Sequence, residues 1–471
     1  MNADGSVSVV AHGLGGSADL PIPFTYALIG AAWALTFTFA VVALAWRKPR
    51  FGSEKPGREL PPWVTAAVDA PATRWVVGIA GLALAVWVGL VAFFGPQNAE
   101  SPLPGVFYVL MWVGLVALSV LFGPVWRALS PVRTVHRLLG GKSLRDYPAA
   151  LGYWPAAFGL FAFVWLELAS PDPGSLAAIR IWLLIYLIVT LAGAFVCGAR
   201  WCARADPFEV YGIVVSRLSA LRRNRNGRIA IGNPFDHLPS LPIRPGIVAV
   251  LSVLLGSTAF DSFSARPQWR TFIDETAGSV TAATLINTAA LFVFAGVVAA
   301  TFWLAARATG GVDREQRRLL PGQMAHSLIP IVVGYVFAHY LTYLVERGQQ
   351  TVYLLLGVDA DVNYILSLHP SLLATVKVGF VVVGHVAGVI AAHDRALHLL
   401  PKTHQLTRSA RDDAGDGGLH LHRAVPVVRR VSSGYAGADH HRRSERLLRR
   451  RFAGGDARRR SRQRHQRAAG R

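Results

Sequence analysis

Long apolar runs separated by shorter polar stretches dominate this chain as far as about residue 400. A helix that crosses about 30 Å of hydrocarbon at about 1.5 Å per residue needs roughly 20 mostly apolar residues. Nine segments have that length and composition: 22–46, 75–95, 106–126, 149–170, 176–197, 246–263, 279–306, 324–345 and 372–393. The pattern predicts an all-α protein, a polytopic transmembrane helix bundle of about nine spans within residues 22–397.

The loops between these segments predict the orientation. Lys and Arg number 23 in one set of alternate loops and three in the other set. The basic loops are 47–74, 127–148, 198–245 and 307–323. Because cytoplasmic loops are enriched in Lys and Arg, we expect a multi-pass inner (plasma) membrane protein whose residues 1–21 form a short extracytoplasmic segment. Labelling of an Asn98→Cys variant by an impermeant thiol reagent in intact cells tests this topology.

Two of the basic loops contain signals for short helices. Ser130 before a proline is typical of a helix start and predicts an interfacial helix near 131–139. Asp206 with Glu209 three residues later is typical of a capping box and predicts a second one near 207–221. The apolar stripe of this second helix fits two placements, on the inner membrane surface or against the cytoplasmic ends of the spans.

Composition and charge agree with a membrane protein. The chain is 52% hydrophobic and 16% charged, whereas globular proteins contain about 25% charged residues. The formal net charge is +21, but 19 Lys and Arg against 6 Asp and Glu from residue 401 onward account for +13 of it. We therefore expect a lipid bilayer as partner, with a small solute or a metal ion as ligand, and no nucleic acid. Nothing in these patterns specifies the oligomeric state.

The tail 398–471 differs from the rest of the chain. It is basic and has no apolar period, which predicts disorder. The whole chain has 43 Arg and 5 Lys, a bias typical of GC-rich coding, in which a shifted frame commonly gives Arg, Gly and Ala. A second hypothesis is therefore a shifted frame after Leu406, with a tenth span in the restored frame. Resequencing of the coding DNA tests it.

Motifs of common enzymes are absent from the sequence. Gly141-Lys142-Ser143 matches the end of a phosphate-binding loop, but the earlier glycine position holds His136 and no strand precedes it. No Gly-x-Ser-x-Gly nucleophile motif is present either, so a serine hydrolase of the usual α/β type is disfavoured. Cys197 and Cys202 are predicted to be free thiols in a reducing compartment, and two thiols alone do not complete a zinc site.

Polar side chains within the spans carry the functional hypothesis, because they are costly in lipid. The last two spans contain four histidines, and imidazole is a common metal ligand. His339 and His385 fall within ~8 Å of each other in depth and are predicted as the core of a cofactor site for a metal ion or haem. The candidate metal ligands are His339, His385, His326 and His393. The alternative is that each imidazole only hydrogen-bonds a neighbouring helix.

Ionisable side chains also occur near the outer ends of the predicted spans: Glu167, Arg180, Asp261 and Glu346. Glu167 and Arg180 fall at similar depth on consecutive spans. An ion pair between them is predicted to fasten this hairpin.

Four stretches resemble a family of bacterial multi-span membrane proteins labelled fenitrothion hydrolase-like. They are His12–Pro23, Asp206–Tyr211, Gly256–Asp261 and Ala392–Leu397. The resemblance covers roughly residues 10 to 407 and implies organophosphate ester hydrolysis, without identifying catalytic residues. Members begin with a signal-like segment before the His-Gly motif, so we expect the start of this sequence to be truncated.

Two functions are therefore expected from different classes. The leading one is the binding of a metal, haem or small solute through intramembrane histidines. The alternative is a membrane-bound phosphotriester hydrolase. A bound metal or a Soret band in purified protein favours the first, and metal-dependent turnover of an aryl phosphotriester favours the second.

Overall fold

The computed structural model describes residues 24–308 and 312–400, and helices account for most of them. The helices are α1 Phe24–Ala45, α2 Pro62–Asp69, α3 Pro71–Phe94, α4 Leu115–Phe122, α5 Trp126–Leu129, α6 Pro131–Leu138, α7 Trp154–Leu168, α8 Leu176–Cys197, α9 Ala199–Ala205, α10 Pro207–Val215, α11 Pro234–His237, α12 Ile247–Ser264, α13 Pro267–Thr276, α14 Val280–Ala308, α15 Arg314–Met324, α16 Ile329–Thr342, α17 Gly348–Leu356 and α18 Pro370–Leu399.

Shorter segments of other geometry connect these helices. Two stretches are π-helical: Gly105–Gly114 runs into α4, and Tyr343–Arg347 joins α16 to α17. The 3₁₀ turns are Ala149–Leu151, Ser216–Leu218, Leu238–Ser240 and Ala325–Leu328. Three short strands, β1 Arg58–Glu59, β2 Leu221–Arg223 and β3 Ile229–Ile231, form an antiparallel sheet in the order β1-β3-β2.

The helices confirm the predicted fold class. Seven helical segments in the described part of the chain are long and apolar enough to cross a membrane: Pro71–Phe94, Gly105–Phe122, Leu176–Cys197, Ile247–Ser264, Val280–Ala308, Arg314–Leu356 and Pro370–Leu399. The two other predicted spans contain the shorter apolar helices Ala32–Ala45 and Trp154–Leu168. The protein is therefore an all-α helical bundle suited to a membrane, and the side on which each loop lies stays a prediction.

Large apolar side chains remain exposed on the outer faces of the long helices. Trp87 and Phe94 on α3 and Ile181 and Ile188 on α8 are examples, with exposed fractions between 46% and 84%. A water-soluble surface rarely leaves so many large apolar groups in contact with solvent. This surface fits the hydrocarbon of a bilayer.

The interior is packed closely where helices cross. A Cβ atom at Gly384 of α18 would come within 2.8 Å of the Pro330 carbonyl oxygen of α16, so the two backbones can approach only because this residue is glycine. At the centre, Trp112 stacks on Phe163 and lies 4.8 Å from the ring of Tyr211. These aromatic rings belong to three different parts of the chain and hold the bundle together.

The two predicted loop helices are present. Ser130 caps α6, since its Oγ accepts from the Arg133 N–H at 3.4 Å, and Asp206 caps α10 by accepting from the Phe208 N–H at 3.0 Å. All but one of the nine residues of α10 are buried, and α10 packs against α7 and α4. Of the two placements considered for this helix, packing against the other helices fits the structure better than a position on the membrane surface, and the side of the membrane stays a prediction. The predictions for residues 1–21 and for the tail beyond Leu400 lie outside the described residues.

Candidate functional site

Three of the four predicted histidine ligands make local or packing hydrogen bonds. His326 Nδ1 lies 3.1 Å from the Gln323 carbonyl oxygen, and His385 Nδ1 lies 2.8 Å from that of Val381 in its own helix. His393 Nε2 lies 3.0 Å from the Trp46 carbonyl oxygen, just beyond α1. Only the His393 contact joins separate parts of the chain, as in the alternative, whereas His326 and His385 bond carbonyl groups three and four residues away.

The predicted metal ligands do not come together as one cluster. Within residues 24–308 and 312–400, no group of three or more His, Cys, Asp or Glu side chains is placed to hold a metal ion. His385 packs edge-on against Tyr335, with ring centroids 5.4 Å apart, whereas His339 contacts a different helix. Cys197 and Cys202 are free, buried thiols, as expected. Cofactor binding by His339 and His385 stays a prediction.

His339 instead belongs to a buried site around Asp261 of α12. Asp261 Oδ2 lies 2.7 Å from His339 Nε2 and accepts a hydrogen bond from the Tyr340 hydroxyl at 2.9 Å. Each of the three residues is only 4% exposed. One carboxylate oxygen therefore binds two consecutive residues of α16 inside the bundle.

A local break in helix geometry allows this double contact. Consecutive side chains of a regular α-helix point about 100° apart, so they do not normally reach one atom. Tyr340 has φ −109° and ψ 16°, outside the helical range, and π-helix follows at Tyr343–Arg347. Such irregularities within helices occur frequently at functional sites.

A second carboxylate, Glu167, lies near the end of α7 close to Asp261. The two acids are near enough to interact electrostatically, and Glu167 Oε2 is buried with no hydrogen-bond partner. The predicted ion pair with Arg180 is wrong. The Arg180 guanidinium bonds the Gln97 side chain and lies 5.7 Å from the Phe93 ring centroid. Equal depth on consecutive helices does not bring two side chains to the same face.

Helix α10 adds Tyr211, which sequence analysis did not select. Its hydroxyl is buried without a partner, as is Nε1 of Trp112, and it interacts electrostatically with Glu167. Because α10 was predicted as interfacial in a loop distant from those residues, nothing in the sequence connected Tyr211 with Glu167 and Asp261. We call the following residues the acidic cluster: Glu167, Tyr211, Asp261, His339 and Tyr340.

The acidic cluster contains more side chains that can carry a negative charge than side chains that can carry a positive charge. Asp261 and Glu167 carry up to two negative charges, and within the described part of the chain the titratable base that bonds either of them is His339. Among the described residues, neither carboxylate forms an ion pair with Lys or Arg. A buried, uncompensated charge is costly, so such a pair of acids favours uptake of a proton or another small cation.

A different buried carboxylate, Glu209 of α10, is fully paired. Arg133 of α6 holds it with two charge-assisted bonds, Nε to Oε2 at 2.5 Å and Nη2 to Oε1 at 2.6 Å. The Glu209 side chain is fully buried, and that of Arg133 is 11% exposed. This bidentate geometry satisfies both charges and leaves no capacity for a ligand.

Comparison of the chain with protein-family models, with curated proteins and with solved structures gives no match.

Proposed function

We propose that this protein binds a proton or a small monovalent cation within the membrane, at the carboxylates Asp261 and Glu167, and so handles a small solute rather than a macromolecule. The observation that carries this proposal is that two electrostatically interacting acids, the buried Asp261 and Glu167 with its buried Oε2, have a single bonded imidazole and no ion pair with Lys or Arg among the described residues. Ionisable groups inside membrane bundles commonly belong to ion or proton pathways.

The donors around Asp261 support a proton-binding role. If Asp261 is ionised, His339 Nε2 and the Tyr340 hydroxyl both donate to Oδ2. If His339 is an imidazolium ion, transfer of its Nε2 proton along this bond of 2.7 Å gives a neutral Asp261 carboxyl group and a neutral imidazole that keeps its proton on Nδ1; Nε2 then accepts from the carboxyl O–H and the bond is kept. Glu167, whose Oε2 has no donor, is the second place for a proton or cation.

The sequence predicted a site for a metal, haem or small solute formed by histidines. The proposal keeps the small solute as ligand but assigns its binding to two acids and one histidine. Haem or metal ligation by His339 and His385 would need both imidazoles to bind one centre, yet they contact different helices. Phosphotriester hydrolysis, which the fenitrothion hydrolase-like resemblance implies, gains no support from a specific group of residues in the described structure.

Infrared difference spectroscopy of the full chain, reconstituted in lipid, tests the proposal by detecting protonated carboxyl groups directly. We expect a protonated-carboxyl C=O band that responds to pH or to added Na⁺. The band should disappear in Glu167→Gln or Asp261→Asn. The matched control is Glu346→Gln, because Glu346 is also buried but accepts from the Leu366 N–H, the Ser367 N–H and the Ser367 hydroxyl.

Two results would overturn the proposal. One is a wild-type protein with no titrating carboxyl band and no response to Na⁺ or K⁺. The other is a band that survives both substitutions in the acidic cluster. Co-purification of metal or haem that is lost in His339→Ala and His385→Ala would instead support the cofactor hypothesis.

A further inference from the structure

A second polar site lies in two of the basic loops, 47–74 and 198–245. Its residues are distant in sequence from the acidic-cluster residues of α7 and α16. A cavity of about 340 Å³ opens between residues 53–56, the β2–β3 hairpin and α11. The charged side chains that line it include Lys55, Arg217, Arg222, Arg223, Arg225 and His237, together with the acids Glu54 and Asp236. We call this cavity the basic pocket.

Arg222 is a buried residue that lines the basic pocket. It is the middle residue of β2, pairs in register with Ala230 of β3, and is only 8% exposed. Its Nη2 donates to the Lys55 carbonyl oxygen at 2.6 Å. Its Nη1 is buried and has no hydrogen-bond partner. A buried guanidinium nitrogen without an acceptor is costly, which indicates that an acceptor belongs there.

Arg217 repeats this arrangement on the neighbouring wall. Its Nη1 lies 3.0 Å from His237 Nε2 and donates to Ser240 Oγ at 2.9 Å, so the guanidinium is held in one orientation. Its Nε is buried without a partner. Two fixed guanidinium groups that line one cavity therefore each have an unused donor.

The acids at the basic pocket do not neutralise these two arginines. Asp236 lies 3.4 Å from Lys55, and Glu54 pairs with Arg225. Arg223 pairs with Asp69 at 2.8 Å, outside the cavity. Within the described residues, Arg217 and Arg222 have no carboxylate partner. The three acids are thus each bound to another cation, and the positive charges of Arg217 and Arg222 are not neutralised by them.

We propose that the basic pocket binds a phosphoryl group, either free or as the headgroup of an anionic phospholipid, through Arg217 and Arg222. A planar guanidinium with fixed N–H donors matches phosphate oxygens in both charge and geometry. The cavity volume lies in the range of small-molecule sites and leaves room for a group attached to the phosphate. This inference is independent of the acidic cluster, since it uses none of its residues.

The test compares binding of inorganic phosphate with that of chloride at equal ionic strength, measured calorimetrically on the detergent-purified full chain. We expect saturable phosphate binding, weakened at least about tenfold in Arg222→Gln, because this variant loses a charge-assisted hydrogen bond to the phosphoryl group. The matched control is Arg228→Gln, which removes the same charge from the same hairpin but from an exposed pair with Glu59. It should leave the affinity unchanged.

A second arm distinguishes the two sources of phosphate. Vesicles of phosphatidylcholine alone are compared with vesicles of equal parts phosphatidylcholine and phosphatidylglycerol, and reaction of arginine with phenylglyoxal is followed by peptide mass spectrometry. Protection of Arg217 and Arg222 only in the anionic vesicles assigns the site to a lipid headgroup. Protection by inorganic phosphate assigns it to a soluble ligand.

Some outcomes overturn the inference outright. Equal weakening in Arg222→Gln and Arg228→Gln would show that the effect is only net charge. Absence of phosphate binding together with no protection in either vesicle would show that the pocket has no phosphoryl ligand. If Arg222→Gln does not fold, Arg217→Gln and the protection experiment on the wild-type chain give the same decision.

Discussion

Glu209 and Glu167 both have carboxylate oxygen buried inside this protein, the whole group in Glu209 and Oε2 in Glu167, and their surroundings are opposite. Glu209 is held by two short bonds from Arg133. Glu167 has another acid, Asp261, as its charged neighbour and an oxygen without a donor. Glutamate therefore stabilises the fold at one position, and at the other it keeps a carboxylate oxygen that has no hydrogen-bond donor.

Structural and ligand-binding charges in a membrane bundle differ in whether the protein itself supplies a partner of opposite charge. A buried ion pair with matched geometry is complete, and removal of one partner leaves the other charge stranded. Two neighbouring acids are incomplete by themselves and are satisfied only when a proton or cation is added. Removal of one of these acids relieves repulsion instead of creating it.

The largest expected effect is a difference in the free energy of unfolding between two variants that carry the same isosteric substitution, Glu209→Gln and Glu167→Gln. Glu209→Gln should lower the free energy of unfolding by about 3–5 kcal/mol, because Arg133 stays buried without a counter-charge. Glu167→Gln should cost less than about 1 kcal/mol or stabilise the protein, because it removes an unpaired acid. Denaturant unfolding of the detergent-purified variants, followed by circular dichroism, measures both.

A double variant sharpens the first half of that prediction. Arg133→Met with Glu209→Leu replaces the ion pair by apolar side chains and should recover most of the stability lost in Glu209→Gln. Equal losses in Glu209→Gln and Glu167→Gln would contradict the distinction between the two sites.

A smaller effect on the free energy of unfolding is expected from the titration of His237, which lines the basic pocket beside Arg217 and Arg222. Burial, and then Arg217 and Arg222, lowers the pKa of His237 from 6.5 to about 4. The neutral imidazole is thus favoured in the folded state. The contribution of the neutral imidazole to the free energy of unfolding is fully present above pH 6.5. It is lost as the pH falls from 6.5 toward 4, and the loss is at most about 3 kcal/mol.

Unfolding measured between these pH values, in a buffer without phosphate, checks the sign. The pH slope should be shallower in His237→Gln than in the wild-type protein. His369→Gln, at an exposed histidine, should keep the wild-type slope. A slope that steepens in the opposite direction, with stability gained on acidification, would exclude His237 as the cause.

The smallest expected effect concerns a single donor to Asp261. Tyr340→Phe removes the hydroxyl that donates to Oδ2 at 2.9 Å, and hydrogen bonds within membrane proteins contribute roughly 1 kcal/mol. We expect a loss of about that size and a shift of the carboxyl infrared band. Tyr335→Phe on the same helix is the control, because Tyr335 packs against His385 rather than against the acids. Identical spectra for both variants would place the Tyr340 hydroxyl outside the cation site.

Much of the architecture was predictable because it depends on local composition. Apolar runs of span length located all seven helical segments of the described chain that are long and apolar enough to cross a membrane, and Ser130 and Asp206 located the starts of α6 and α10. A cap is a contact over two or three residues, so sequence alone specifies it. Asp261 and Glu167 were also recognised as polar residues near the ends of spans.

Their partners could not be predicted in the same way. His339 was assigned to His385 from matched depth, but depth says nothing about the direction in which a side chain points around its helix. The non-helical backbone at Tyr340 alters that direction further. Arg180 likewise lies at the depth of Glu167 and bonds Gln97 instead.

The sequence by itself determined that this chain is a helical membrane bundle, since each span is apolar enough to partition into hydrocarbon independently of its neighbours. Only the tertiary structure decided which buried charges are paired, because helix rotation and the burial of α10 bring together residues that are distant along the chain. Glu209 bonds Arg133, and Glu167 comes close enough to Asp261 for an electrostatic interaction, through those rotations. Charge pairing depends on distances of a few Å, and no local pattern of residues fixes such distances between separate helices.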